Sequence, residues 1–114
     1  MPEMMIDPTT FDDLKAAMGE DFIPELVSTY LEETKALIQK LHEALSANQV
    51  EDFRRAAHSI KSSSASLGAL EFSALAKELE FIGKAGDLSQ AGDLLARLEE
   101  IWPKVKTALQ EFLP

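Results

Sequence analysis

Apolar residues recur at three- and four-residue intervals along nearly the whole chain, the period of helices with one buried face. A short first helix is predicted through Phe11, Leu14 and Met18 after a lead-in over residues 1–8. Thr9 or Thr10 caps it, Asp12 and Asp13 sit in its first turn, and Gly19 closes it. A long helix follows from about Asp21 to Ala47, with Pro24 tolerated in its first turn. Its stripe is Ile23, Leu26, Val27, Tyr30, Leu31, Thr34, Leu37, Ile38, Leu41 and Leu45, and charged residues fill the other side. A third helix runs from near Val50 to a stop at Gly68, and a fourth from Leu70 to about Lys84 with Phe72, Leu75, Ala76, Leu79 and Ile82 inward. Gly83, Gly86 and Asp87 make the next break. Asp87 or Ser89 caps a last helix carrying Leu88, Ala91, Leu94, Leu95, Leu98, Trp102, Val105, Leu109 and Phe112. Pro103 falls inside that pattern and predicts a kink, or an end and restart around Trp102.

Four amphipathic segments with short connections satisfy their apolar faces together as an all-α, antiparallel up-down four-helix bundle, with the short N-terminal helix as an accessory. With 114 residues the chain is expected to form a single domain over 1–114.

The third helix holds the stretch with the most chemical character, Ala57 to Ala69. At about 100° per residue, Phe53, Ala56, Ala57, Ile60, Ser63, Ser64 and Leu67 share a stripe roughly 120° wide, and His58 points about 160° from its centre. That histidine therefore faces water. Arg54 and Arg55 lie one turn before it and Lys61 and Ser62 one turn after, spacings that border the imidazole with basic and small side chains.

Composition narrows the function classes. Apolar residues make up 46% of the chain and glycine and proline number five each, against disorder and against a turn-rich β fold. The absence of cysteine excludes disulfides, thiolate metal sites and cysteine nucleophiles. The first residues lack the basic start and apolar core of a signal peptide, and no apolar run approaches the ~20 residues of a membrane span, so a cytoplasmic protein that binds no membrane is expected. A formal charge of −9 disfavours nucleic acid despite the local basic cluster.

Several chemistries lack their parts. Inward metal sites in bundles use Glu-x-x-His, but the residues three before His42 and His58 are Gln39 and Arg55. The serines at 62, 63, 64 and 66 sit in no Gly-x-Ser-x-Gly elbow. His42-Glu43 has the pair found in sensor kinases without its basic-Thr-Pro continuation, and reads as a boundary-face histidine. For His58 the plain alternative is an exposed surface histidine. Its accessibility, the cations around it and the nucleophilicity of neutral imidazole near pH 7 instead suit a transferable phosphoryl group.

These residues resemble a known family. His58-Ser59-Ile60-Lys61-Ser62-Ser63-Ser64-Ala65-Ser66-Leu67-Gly68-Ala69 is similar to the signature His-x-Leu-Lys-Gly-Ser-Ser-x-x-Leu-Gly-Ala of histidine-containing phosphotransfer domains, and the likeness extends to the helix order and to Leu75 and Leu79-Glu80. By that resemblance His58 is the phospho-acceptor and Lys61 neutralises the phosphate. Ser62 stands where the family usually has glycine, a nearly-as-small residue that brings a hydroxyl donor. Glu80 and Lys84 stand where the family often has glutamine and a basic residue.

The resemblance implies a monomeric relay intermediate. A receiver domain of a response regulator or hybrid sensor kinase docks around His58, transfers its phosphoryl group from aspartate, and a second receiver takes it on. The chain needs no nucleotide and no cofactor of its own, the Mg²⁺ belonging to the receiver. Arg54, Arg55, Ser62, Ala65, Glu80 and Lys84 are the expected partner-facing residues, with Met18 and Phe22 as further apolar docking candidates. Two alternatives stand beside this reading. One is a non-catalytic helical adaptor that binds receivers without transferring phosphate; the other is the phosphotransfer region of a chemotaxis-type kinase, which needs a nucleotide-binding domain beyond Pro114.

Overall fold

The computed structural model describes residues 5–111. Five helices account for most of them: α1 (Pro8–Met18), α2 (Ile23–Ala47), α3 (Val50–Leu67), α4 (Leu70–Ala85) and α5 (Ala91–Glu111), with 3-10 turns over Glu20–Phe22 and Leu88–Gln90. Helices α2 to α5 form the expected bundle, in which α2 packs on α3, α3 on α4, α4 on α5 and α5 back on α2, while α1 lies across α3.

Local chemistry sets the breaks. Asn48 takes the left-handed conformation at the end of α2, a region asparagine tolerates better than most residues. Gly68, at φ 87°, turns α3 into α4. It also meets the N-terminal segment: Asp7 N–H donates to the Gly68 carbonyl at 2.8 Å, and a Cβ on Gly68 would lie 3.0 Å from the Asp7 carbonyl oxygen. Asp7, rather than Thr9 or Thr10, caps α1. Its carboxylate accepts from Thr10 N–H at 3.1 Å and from the Thr10 hydroxyl at 2.6 Å, which lets Pro8 take the first helical position.

The core follows the predicted stripes. Ile23, Val27, Tyr30, Thr34, Ile38 and Leu41 of α2, with Phe53, Ala56, Ala57, Ile60, Ser64 and Leu67 of α3, are buried. Trp102 stacks on Phe72 at 5.2 Å between ring centres and meets the Tyr30 ring edge-on at 5.9 Å. Phe112 lies outside the described residues.

Three expectations change. Helix α5 runs through Pro103 as one element with no end and restart, and the proline lies on the exposed side. Asp87 caps the 3-10 turn, accepting from Ser89 N–H at 2.9 Å, and α5 begins only at Ala91. Gly83 is no part of the break: it is buried within α4. No helix among the described residues is long and apolar enough to cross a membrane.

Candidate functional site

Helix α4 carries a second inward face beyond its apolar stripe. Ser73, Ala76, Glu80 and Gly83 recur at helical spacing, are all buried, and turn toward α3. The small side chains of Ser73, Ala76 and Gly83 let the two backbones approach. A Cβ on Gly83 would fall 2.9 Å from Arg54 Cβ and 3.0 Å from Arg54 Cα, so the helices meet there at glycine distance. Further along, the Ser73 hydroxyl donates to the Lys61 carbonyl at 2.8 Å, tying α4 to the α3 turn that follows His58.

Glu80 lies between those two fastenings, with its side chain only 5% exposed. A buried carboxylate is unfavourable unless its charge and lone pairs are met. Here both oxygens are met from α3: His58 Nδ1 lies 2.7 Å from Oε2, and Lys61 Nζ donates to Oε1 at 2.6 Å. Lys84, one turn on, stands 3.9 Å from Oε2. Burial pushes the Glu80 carboxyl up, but the hydrogen bonds and charges of Lys61 and His58 outweigh it and hold it below the ordinary carboxylate range. Glu80 is therefore an anion and can only accept.

That fixes the imidazole. With a carboxylate facing Nδ1, the proton of the neutral ring sits on Nδ1 and the lone pair on Nε2. The His58 side chain is 54% exposed, so this second nitrogen is open to a reactant while its ring is held from below. The arrangement supplies an oriented neutral nucleophile beside two lysines.

Other candidates fall elsewhere. Arg54 and Arg55 both bond the Glu51 carboxylate one turn earlier, Arg54 Nε at 3.1 Å and Arg55 Nε at 3.3 Å, an i−3/i−4 carboxylate that competes for them, and Arg54 also feels the charge of Glu80. Arg54 is also half-buried against Gly83. Glu80, expected on the partner-facing surface, lies beneath it. Ser62 and Ala65 are exposed on the His58 side of α3, and Lys84 is exposed on α4. Ser63 is half-buried rather than core and bonds back to the Ser59 carbonyl at 2.9 Å, whereas Ser64 is fully buried and shares a hydrogen bond of 2.7 Å with the Tyr30 hydroxyl. His42 is exposed and pairs across the bundle with Glu99 at 2.5 Å. Ser73 and Gly83 were not singled out for the site, although their spacing with Ala76 and Glu80 was readable as a second stripe.

The family model of the Hpt domain matches residues 25–111, which takes in α3, α4 and every residue of this cluster. Among solved structures, the crystal structure of histidine-containing phosphotransfer protein B (HptB) from Pseudomonas aeruginosa PAO1 superposes with a TM-score of 0.90 at 28% identity, covering 96% of this chain and 95% of that one. No curated protein sequence gives a significant match. A family match over most of the chain, on a bundle that presents an exposed histidine at the family's motif, places this chain in the Hpt domain family.

Proposed function

We propose that the chain is a phosphorelay intermediate, in which His58 takes a phosphoryl group from the phosphoaspartate of one receiver domain and passes it to the aspartate of another. The observation that carries this reading is the imidazole itself, exposed at Nε2 and pinned at Nδ1 by Glu80. Histidine phosphotransfer is the property of the family, and the protein of known structure that resembles this chain is a histidine-containing phosphotransfer protein.

Transfer into the chain forms a bond from Nε2 to phosphorus as the bond from phosphorus to the aspartate oxygen breaks, and the carboxylate leaves with that electron pair. The receiver contributes Mg²⁺ and the acidic pocket; this chain contributes the nucleophile, its orientation and positive charge. Lys61, on a flexible stem and 29% exposed, shares the Glu80 carboxylate with the ring and can swing toward a phosphoryl group on it, and Lys84 adds a second cation. Neither role calls for a nucleotide site, so the chain acts as a carrier rather than as a kinase.

Docking uses the face that surrounds His58. Ser59, Ser62, Ala65 and Ser66 form an exposed track of small side chains along α3. It leads to a cleft of about 260 Å³ where Leu14, Met18 and Leu26 meet Ser63 and Ser66. Met18, 46% exposed, lines it, and Phe22, 59% exposed in the turn that follows α1, offers a second apolar anchor for a receiver.

The test is incubation with a radiolabelled phospho-receiver. Wild type is expected to take label as an acid-labile, base-stable species and to release it to a second receiver, and His58→Gln to take none. Receiver binding without label on wild type would turn the reading to that of an adaptor.

A further inference from the structure

Glu80 spends its burial on a partner whose charge depends on phosphorylation. Lys61 and Lys84 are cationic throughout, but His58 enters the reaction as a neutral ring. When Nε2 bonds to phosphorus, the Nδ1–H stays and the ring becomes an imidazolium. The 2.7 Å contact with Glu80 then changes from a neutral donor on a carboxylate to a full ion pair. The buried carboxylate thus interacts more strongly with the phosphorylated state than with the resting one.

We infer that Glu80 is the positioning residue that retains the Nδ1 proton of phosphorylated His58, so that the ring always departs as neutral imidazole. This inference rests on the phosphotransfer reading above. The atoms balance without any proton moving. On loading, the Nε2 lone pair becomes the N–P bond and the aspartate carboxylate leaves. On discharge, the attacking aspartate oxygen bonds to phosphorus and the N–P pair returns to Nε2 of a ring still protonated at Nδ1. Were that proton lost between the two steps, the departing group would be an imidazolate anion, a far poorer leaving group, and the phosphoryl group would be stranded on the chain.

The surroundings act on the proton in opposite senses. Glu80 favours the imidazolium. Lys61 on α3 opposes it twice, through its own charge and by sharing the carboxylate; Lys84 on α4 also stands against Oε2, and Arg54 on α3 adds its charge at longer range. The carboxylate touches the ring while the cations meet that same carboxylate, so the direct contact on the Nδ1–H is the one with Glu80.

The test needs no partner protein. Potassium phosphoramidate phosphorylates accessible histidines directly, and the Nδ1 titration of the product is followed by ³¹P NMR across the neutral and alkaline range. In Glu80→Gln, which keeps an oxygen acceptor but no charge, the midpoint is expected to fall by about one pH unit or more, and hydrolysis above it to slow about tenfold. In Lys61→Gln the midpoint is expected to rise, an opposite movement that a general loosening of the site does not produce. This second variant also serves should Glu80→Gln fold poorly. An unchanged midpoint in Glu80→Gln, with His58 still phosphorylated, overturns the role of Glu80 and leaves the phosphotransfer reading standing. Phosphohistidine absent from residue 58 of wild type overturns both.

Discussion

Gly83 on α4 and Arg54 on α3 lie so close that the smallest side chain on the glycine would press on the arginine backbone, 3.0 Å from its Cα and 3.2 Å from its N. Backbone does not yield as a flexible side-chain tip does, so the two helices must part to admit a methyl group. Gly83→Ala gains roughly 1 kcal/mol of helix propensity but meets an overpacking cost of about 1–3 kcal/mol. A net loss is expected, read as a lower urea midpoint. Because Glu80 lies one turn before Gly83 on the same face, the separation should also weaken the His58 contact, visible as a changed imidazole shift in NMR.

The carboxylate cluster gives stability a defined pH dependence. Glu80 is held below its ordinary value of 4.5 in the folded chain, so its contribution is complete above that pH and is lost as pH falls through the lower, native value. Urea midpoints of wild type and Glu80→Gln should differ throughout the neutral range and converge only in the acid range below pH 4.5. A gap that holds at the acid end would show that Glu80 acts by shape rather than by charge.

The bundle and its connections were readable from periodicity because each helix buries a continuous apolar stripe, and so was the outward aspect of His58. The other half of the cluster was not. A glutamate at position 80 reads as solvent-facing on any single-helix count, since carboxylates are rarely buried unpaired. Its burial depends on Ser73, Ala76 and Gly83 bringing α3 near enough for His58 and Lys61 to meet it, a relation between two helices. Arg54 and Arg55 show the same limit. Helical spacing offered them both His58 and Glu51, and the opposite charge decided.

Tyr30 and Ser64 link α2 to α3 in the core through one hydrogen bond of 2.7 Å. Burial pushes the Tyr30 hydroxyl up to about 12, against the lowering effect of that bond, so it stays protonated. The two truncations are unequal. Tyr30→Phe leaves a serine that can turn back to the carbonyl four residues earlier, as Ser63 and Ser66 already do, and should cost about 1 kcal/mol. Ser64→Ala removes the bonded partner of a buried phenol hydroxyl, leaving it only the neighbouring Thr34 hydroxyl, and should cost about 1–3 kcal/mol. Chemical denaturation of both variants gives the order directly.

Lys61→Ala should slow phosphotransfer about tenfold or more, the effect of losing one charge-assisted hydrogen bond near the transition state. Far-UV circular dichroism should remain that of wild type, because Lys61 lies off the core stripe, while the urea midpoint should fall, because buried Glu80 loses a donor at Oε1. Equal transfer rates in the two proteins would remove Lys61 from the reaction and leave Lys84 as the cation to test.

Two exposed phenylalanines separate docking from mere surface apolarity. Phe22, 59% exposed, ends the 3-10 turn that follows Met18, which shares a cleft with the α3 serines, whereas Phe81, 67% exposed, lines a groove formed by α4 and α5 residues with none from α3. Neither side chain supports the core, so a serine at either position leaves the fold intact. If the receiver seats on the α1–α2–α3 face, Phe22→Ser removes an apolar anchor worth about 1–2 kcal/mol and weakens receiver binding roughly tenfold. Phe81→Ser leaves the affinity unchanged. Titration of both variants with a receiver domain reads the difference, and a loss confined to Phe81→Ser would move the docking face to the α4–α5 side of the bundle.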